Sequence, residues 1–173
     1  MLITPPNTDE YGEWYQGYVA RAAKSSVMHT LVRQPSTLKK LLRGQSDASA
    51  STRPAPEEWS IKEVVGHIND GERVFGYRLL RFSRGDASAL ASFDENAFVE
   101  NAYFNHIKLR DLLDEFAALR SANLTMIRAL TADQLDRRGI ASNNSVSVRA
   151  LVYIISGHVD HHLESLKKVY LKK

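Results

Sequence analysis

Two histidines near the end of the chain have the spacing of a metal-binding pair. His158 and His162 are four residues apart within an apolar run that spans residues 148–170. On a helix, residues four apart lie one turn above each other on the same face, and the apolar residues of the run mark that face as the one that turns toward the core. Two imidazoles placed in this way can occupy neighbouring positions on one metal ion, with Zn–N distances of roughly 2.0–2.1 Å.

A third histidine with a comparable setting is His67. It borders the apolar stripe of another predicted helix, and Gly66 precedes it just as Gly157 precedes His158. Because Gly costs about 1 kcal/mol relative to Ala in a helix interior, we interpret the two glycines as places where the two helix backbones approach closely. Three histidines on two facing helices leave one position of a tetrahedral ion for water or substrate, which is the pattern of a catalytic site.

The absence of cysteine restricts what else can take part in such a site. The chain has no Cys, so a transition-metal site must use His, Asp or Glu. Asp70 follows His67 by three residues and is a candidate to orient an imidazole or to take a proton from metal-bound water. His161 is expected to flank the site, whereas Asp160 should point away from it.

The same residues also allow interpretations in which no metal takes part. Two histidines four residues apart also occur on helices as a purely structural feature. His67 alone would fit a buried histidine with satisfied hydrogen bonds. Asp70 and Glu72, beside Arg73, can be ordinary charges of a helix surface. We expect Arg78 and Arg81 to form surface ion pairs.

The composition is that of one soluble globular domain. The 173 residues are 43% hydrophobic and 25% charged, with a formal net charge of +3, which predicts a single domain over residues 1–173. Lys and Arg are spread along the chain rather than clustered among aromatic residues, so we expect no nucleic-acid partner. No apolar run approaches the roughly 20 residues that cross a bilayer, and the N-terminus lacks a signal-peptide pattern. We therefore expect a cytoplasmic protein that does not contact membranes.

Hydrophobic periodicity predicts an all-α protein, most simply a four-helix bundle with long connections and a short extra helix. The sequence shows no clear strand pattern and no internal repeat. Pro35 should kink or divide the first helix, and helix starts are indicated by Ser60, Asn105, Thr131 and Ser147. The predicted long helices span residues 26–43, 60–84, 105–130 and 147–170.

The connection over residues 86–105 is unusually long for a compact domain. It mixes polar residues with aromatic ones, and we interpret it as a loop that holds one short helix. Connections of this length often cover a functional site, so it should roof part of a cleft at the metal. Its aromatic residues Phe93, Phe98 and Phe104 are expected to belong to the core rather than to a substrate pocket.

Several segments together resemble the DinB/YfiT-like superfamily of metal-binding four-helix bundles. The resemblance extends over residues 11–171, and the three histidines occur in the order and on the helices that the family shows. The segments that carry it are 59–73 (WSIKEVVGHINDGER), 77–86 (YRLLRFSRGD), 93–94 (FD), 148–151 (VRAL) and 156–163 (SGHVDHHL).

The resemblance implies that His67, His158 and His162 bind a divalent ion, most often nickel or zinc, and that the protein forms a homodimer. Related proteins include thiol S-transferases that use bacillithiol, mycothiol-dependent enzymes and hydrolases. Our first hypothesis is an enzyme whose metal activates water or a low-molecular-weight thiol toward a small electrophilic molecule. The alternative is a non-enzymatic, dimeric metal-binding or stress-response scaffold.

Overall fold

The computed structural model describes residues 2–86 and 88–171 as a mostly helical chain. Eight α-helices and one hairpin can be traced in this part of the chain. In chain order they are α1 (Gln16–Ala22), α2 (Val27–Leu41), α3 (Asp47–Ala50), α4 (Ile61–Ser83), α5 (Glu95–Ala102), α6 (Leu109–Arg128), α7 (Ala132–Leu135), β1 (Arg138–Ala141), β2 (Asn144–Ser147) and α8 (Val148–Ser165).

The four long helices α2, α4, α6 and α8 form the bundle. Helix α4 packs between α6 and α8, and α2 packs against both α6 and α8 on the other side. The short helix α1 lies along α8, and α5 packs against α4. The predicted all-α four-helix bundle is therefore confirmed. Among the described residues, no helix combines the length and the apolar character needed to cross a membrane.

Local side-chain hydrogen bonds explain where most helices begin. Ser60 and Glu63 form the predicted capping box of α4, and Ser147 accepts from the backbone N–H of Ala150 at the start of α8. The prediction that Asn105 caps α6 is wrong. That helix starts after Lys108, and the Asp47 carboxylate accepts from its first N–H, on Leu109, at 2.7 Å.

Pro35 does not divide α2, which is one continuous helix. Proline has no N–H, so inside a helix it leaves the carbonyl four residues earlier without its usual donor. In α2 that carbonyl belongs to Leu31, and the guanidinium of Arg120 donates to it at 3.0 Å. A buried arginine of α6 thus replaces the hydrogen bond that Pro35 removes.

The segment before α8 forms an antiparallel hairpin that the sequence pattern did not predict. Its turn residues Ser142 and Asn143 both adopt the left-handed conformation, with φ of 51° and 61°, and Ala141 pairs with Asn144 across the turn. The strands have only four residues each and show no apolar alternation, so periodicity could not reveal them. The hairpin brings Ser142 toward α4, where it contacts Arg78.

The apolar core consists of two clusters, one toward each end of the bundle. Along each long helix, a buried polar residue separates the apolar residues of one cluster from those of the other. These residues are Gln34 on α2, Glu72 on α4, Arg120 on α6 and His158 on α8, each at most 3% exposed. The bundle therefore contains a polar layer at mid-height, and the histidines lie at this layer.

Candidate metal centre

The three predicted ligands converge in the interior of the bundle. His67 extends from α4, and His158 and His162 extend from α8, with exposed fractions of 7%, 3% and 9%. The Nε2 atom of His158 lies 2.9 Å from Nε2 of His67 and 3.2 Å from Nε2 of His162. The ligand atoms of all three residues lie within 4.8 Å of one another. The structure thus brings together the three residues that the sequence singled out.

The donor set fits a divalent metal ion better than it fits hydrogen bonds alone. An imidazole nitrogen carries either one hydrogen or one lone pair, so Nε2 of His158 can satisfy only one of its two neighbours at a time. Two nitrogens at about 2.0–2.1 Å from a tetrahedral ion stand about 3.3 Å apart, close to the separations seen here. Within the described residues, the group contains no fourth His, Cys, Asp or Glu.

All three imidazoles are held in the neutral form that binds metals. Burial lowers the pKa of His67 to about 4, and the nearby His161 acts in the same direction. Burial also lowers the pKa of His158 and of His162 well below the ordinary value, because the charged form loses its hydration. Each ring can therefore offer a lone pair near pH 7.

Aromatic rings and a glycine fix the orientation of the imidazoles. The ring of Trp59 lies against His67, at 4.8 Å between centroids, and Tyr18 and Phe75 each pack edge-on against His158, both at 5.5 Å. A Cβ at Gly71 of α4 would lie 2.6 Å from Cε1 of His158. Only glycine leaves room for the ring at that position.

The two glycines that precede the histidines have a different role from the predicted one. A Cβ at Gly157 would lie 1.9 Å from the carbonyl oxygen of Tyr18, so this glycine admits the backbone of α1 against α8. A Cβ at Gly66 would meet the ring of Phe104 at 2.4 Å. The interpretation that both glycines allow α4 and α8 to approach each other is therefore wrong.

A cleft of about 290 Å³ reaches the centre from the side of His67 and His158. As predicted, the connection before α6 forms part of its wall, through Phe93 and Glu95. Phe93 therefore lines the cleft and does not belong to the core as expected. The remaining wall residues come from the segment before α1, from α1, from α4 and from the hairpin: Trp14, Tyr15, Tyr18, Phe75, Ser142 and Asn144.

A second cleft, of about 230 Å³, opens beside His162 and His161. His161 lies next to the ligand group, with its ring centroid 4.9 Å from that of His162. A larger cavity, of about 500 Å³, lies between α2 and α6 and touches none of the three clustered histidines. We therefore place the functional site at the cleft that reaches His67 and His158.

Two charged residues have surroundings that the sequence interpretation did not foresee. Glu72 is not a surface charge: it is 2% exposed and pairs with Arg120 in the polar layer. Arg78 does not form the expected surface ion pair with any described residue, because it is 2% exposed and its hydrogen-bond acceptors there are uncharged. Arg81 does pair with a carboxylate, that of Asp86.

Asp70 and Asp160 stand outside the group of ligand atoms. Asp70 is half-buried, and burial raises its pKa, while the neighbouring Arg73 lowers it. The carboxylate of Asp160 accepts from the Gln34 side chain at 2.8 Å, in agreement with the expectation that it points away from the site. The role suggested for Asp70 stays a prediction.

Comparison with known proteins places the chain in a family. The model of the DinB superfamily matches residues 30–166. A solved structure, YfiT from Bacillus subtilis, superposes with a TM-score of 0.77 at 18% identity over 86% of each chain. That protein is described as "a probable metal-dependent hydrolase with an unusual four-helix bundle topology". Comparison with curated proteins finds no match. Because the family model covers most of the chain, this protein belongs to the DinB superfamily.

Proposed function

We propose that the protein is a metal-dependent enzyme whose ion is held by His67, His158 and His162. The observation that carries the proposal is the convergence of three neutral, buried imidazole nitrogens, at a place where two of the histidines, His67 and His158, line a cleft. The absence of a fourth protein ligand among the described residues leaves a position for a reactant. This open position favours catalysis over the alternative of a closed, structural ion in a scaffold protein. The description of YfiT as a probable metal-dependent hydrolase supports the same reaction class.

The bound ion would act as a Lewis acid that lowers the pKa of a water or thiol nucleophile. Glu95 is the acidic residue that lines the cleft. It is half-buried in the first turn of α5, and the described part of the chain gives it neither an ion pair nor a side-chain hydrogen bond. We assign the Glu95 carboxylate the role of accepting the proton that the nucleophile gives up. Asp70, which is outside the cleft wall, is the competing candidate.

The identity of the ion and the assembly are also part of the proposal. An all-imidazole donor set suits zinc and nickel, and the family resemblance favours these two metals. We propose hydrolysis of a small electrophilic molecule, or transfer of a low-molecular-weight thiol to it, in a cytoplasmic homodimer. Hydrolysis of 4-nitrophenyl acetate and transfer of cysteine to 1-chloro-2,4-dinitrobenzene, assayed with the zinc and nickel forms, separate the two reactions.

The deciding experiment measures metal content in matched variants. Tag-free wild type, His162→Ala and His161→Ala are dialysed against metal-free buffer, supplied with zinc or nickel, and analysed by elemental analysis. We expect about one ion per chain in the wild type and in His161→Ala, and little or no bound ion in His162→Ala. His161 is the matched control, because it is adjacent in sequence but outside the ligand group. A wild type that takes up neither metal would refute the proposal.

A further inference from the structure

Arg78 on α4 is a buried cation whose partners are all uncharged. Its Nη1 donates to the hydroxyl of Tyr15 at 3.2 Å, and its Nη2 donates to the Ser142 hydroxyl and to the Ala91 carbonyl, both at 3.0 Å. The side chain is 2% exposed, and the described residues provide no carboxylate within ion-pair distance. Buried charges are normally compensated by an opposite charge. For Arg78, the described part of the chain supplies no such counter-charge.

The hydrogen bonds of Arg78 determine what the two hydroxyls can do. Arginine only donates, so the oxygens of Tyr15 and Ser142 act as acceptors toward it, and the hydrogen of each hydroxyl remains available for another partner. Both residues line the cleft together with His67 and His158. A positive charge behind a hydroxyl makes it a stronger donor. The cleft therefore presents two hydroxyl donors, both of which contact the same guanidinium.

The other charges at the cleft leave this side suited to an anion. Glu95 lines the cleft beside Tyr18, whose pKa is raised by burial and by the Glu95 charge. The three histidines are neutral, and a divalent ion on them would add positive charge. The summed charge of a divalent ion, Arg78 and Glu95 is positive.

We propose that Tyr15 and Ser142, backed by Arg78, bind the carboxylate of the substrate. The substrate class is thus a small molecule that carries a carboxylate, or a similar oxyanion, at a short distance from the carbon that is attacked. The subsite itself depends only on Arg78 and its partners, whereas the position of the reacting carbon rests on the proposed function.

The test compares a carboxylate with its neutral counterpart of nearly the same shape. Binding of phenylacetate and of phenylacetamide to the zinc-loaded protein is measured by titration calorimetry. We expect phenylacetate to bind at least tenfold more tightly. Tyr15→Phe and Ser142→Gly should each weaken phenylacetate binding about tenfold, because each removes a hydrogen bond to a charged group, and should leave phenylacetamide within twofold. Glycine is chosen at position 142 because φ is positive there.

Tyr77→Phe is the matched control, since it removes a hydroxyl that another arginine of α4, Arg81, contacts at an exposed position outside the cleft wall. We expect it to leave the affinity for phenylacetate within twofold. If Tyr15→Phe and Ser142→Gly both bind phenylacetate as the wild type does, zinc alone holds the carboxylate and the subsite is refuted. If the wild type takes up no metal, the proposed function fails, and the same titrations on the metal-free protein still decide the subsite.

Discussion

Arg120 on α6 and Glu72 on α4 face each other at mid-height in the bundle, with Nε of Arg120 3.0 Å from a carboxylate oxygen of Glu72. Both side chains are almost completely buried. Arg120 also donates to the side chain of Gln34 and to the Leu31 carbonyl of α2. One guanidinium therefore joins three of the four long helices. Its charge also helps to lower the pKa of His158, after the larger effects of burial and of the other histidines.

Replacing Arg120 with methionine should strongly destabilise the fold. The substitution keeps an apolar stem but leaves the Glu72 carboxylate buried without its cation, and breaking a buried ion pair in this way costs about 3–5 kcal/mol. Urea unfolding monitored by circular dichroism measures the loss. The control is Arg73→Met, because Arg73 pairs with Glu115 at a more exposed position and should change the stability by less than about 1 kcal/mol. Equal losses in the two variants would contradict the assigned role of Arg120.

Gly71→Ala should weaken metal binding while the bundle remains folded. The added methyl group would lie 2.6 Å from Cε1 of His158, so the ring must move away from the other two imidazoles. We expect zinc affinity to fall by at least tenfold, because a shift of one ligand spoils the coordination geometry. Competition with a chromophoric chelator measures the affinity. Gly17→Ala is the control, since its new Cβ meets only the end of the Arg21 side chain, at 3.2 Å. Similar zinc affinities in the two variants would show that the His158 ring does not need the space that Gly71 leaves.

The stability of the metal-free protein should fall on acidification because of the buried histidines. The pKa of His67 is about 4 in the folded state and about 6.5 when the side chain is exposed. Between these values the unfolded chain binds a proton that the folded chain does not, so the free energy of unfolding decreases as the pH falls below 6.5. His67 alone should remove about 1 kcal/mol between pH 7.5 and pH 5.5.

Urea unfolding at a series of pH values, in the presence of a chelator, tests this dependence. In His67→Gln the free energy of unfolding should decrease less on acidification than in the wild type, because the imidazole of His67 is missing. His29→Gln replaces an exposed histidine of α2 and should retain the wild-type decrease. A decrease of the same size in all three proteins would mean that His67 does not account for the acid sensitivity.

The parts of the fold that the sequence predicted correctly are those that depend on residues close to one another along the chain. Ser60 and Glu63 are three residues apart, as are Ser147 and the N–H that it caps, so the starts of α4 and α8 could be identified from neighbouring residues. His158 and His162 share a face because of helical spacing alone. Only His67 required a comparison between two distant segments.

The residues that the sequence did not reveal depend on contacts between distant segments. Glu72 resembles a surface charge until Arg120, 48 residues later, is placed against it. Arg78 likewise becomes an isolated buried cation only because Tyr15 and Ser142 come from the N-terminal segment and from the hairpin turn. Hydrophobic periodicity reports which face of a helix is apolar, but it does not report which polar residue lies at the level of the site.

Glu95→Gln and Asp70→Asn should separate the two candidates for the proton acceptor. If Glu95 takes the proton of the nucleophile, its amide variant loses about 10²–10⁴-fold in rate, while zinc content is unchanged because Glu95 is outside the ligand group. The rate of 4-nitrophenyl acetate hydrolysis by the zinc form is measured at pH 7 beside the zinc content of the same samples, so that a loss of rate is distinguished from a loss of metal. Asp70→Asn, which keeps the shape of a residue outside the cleft wall, should retain both the rate and the zinc content. The reverse pattern would assign the proton transfer to Asp70 and leave Glu95 with a role in substrate binding only.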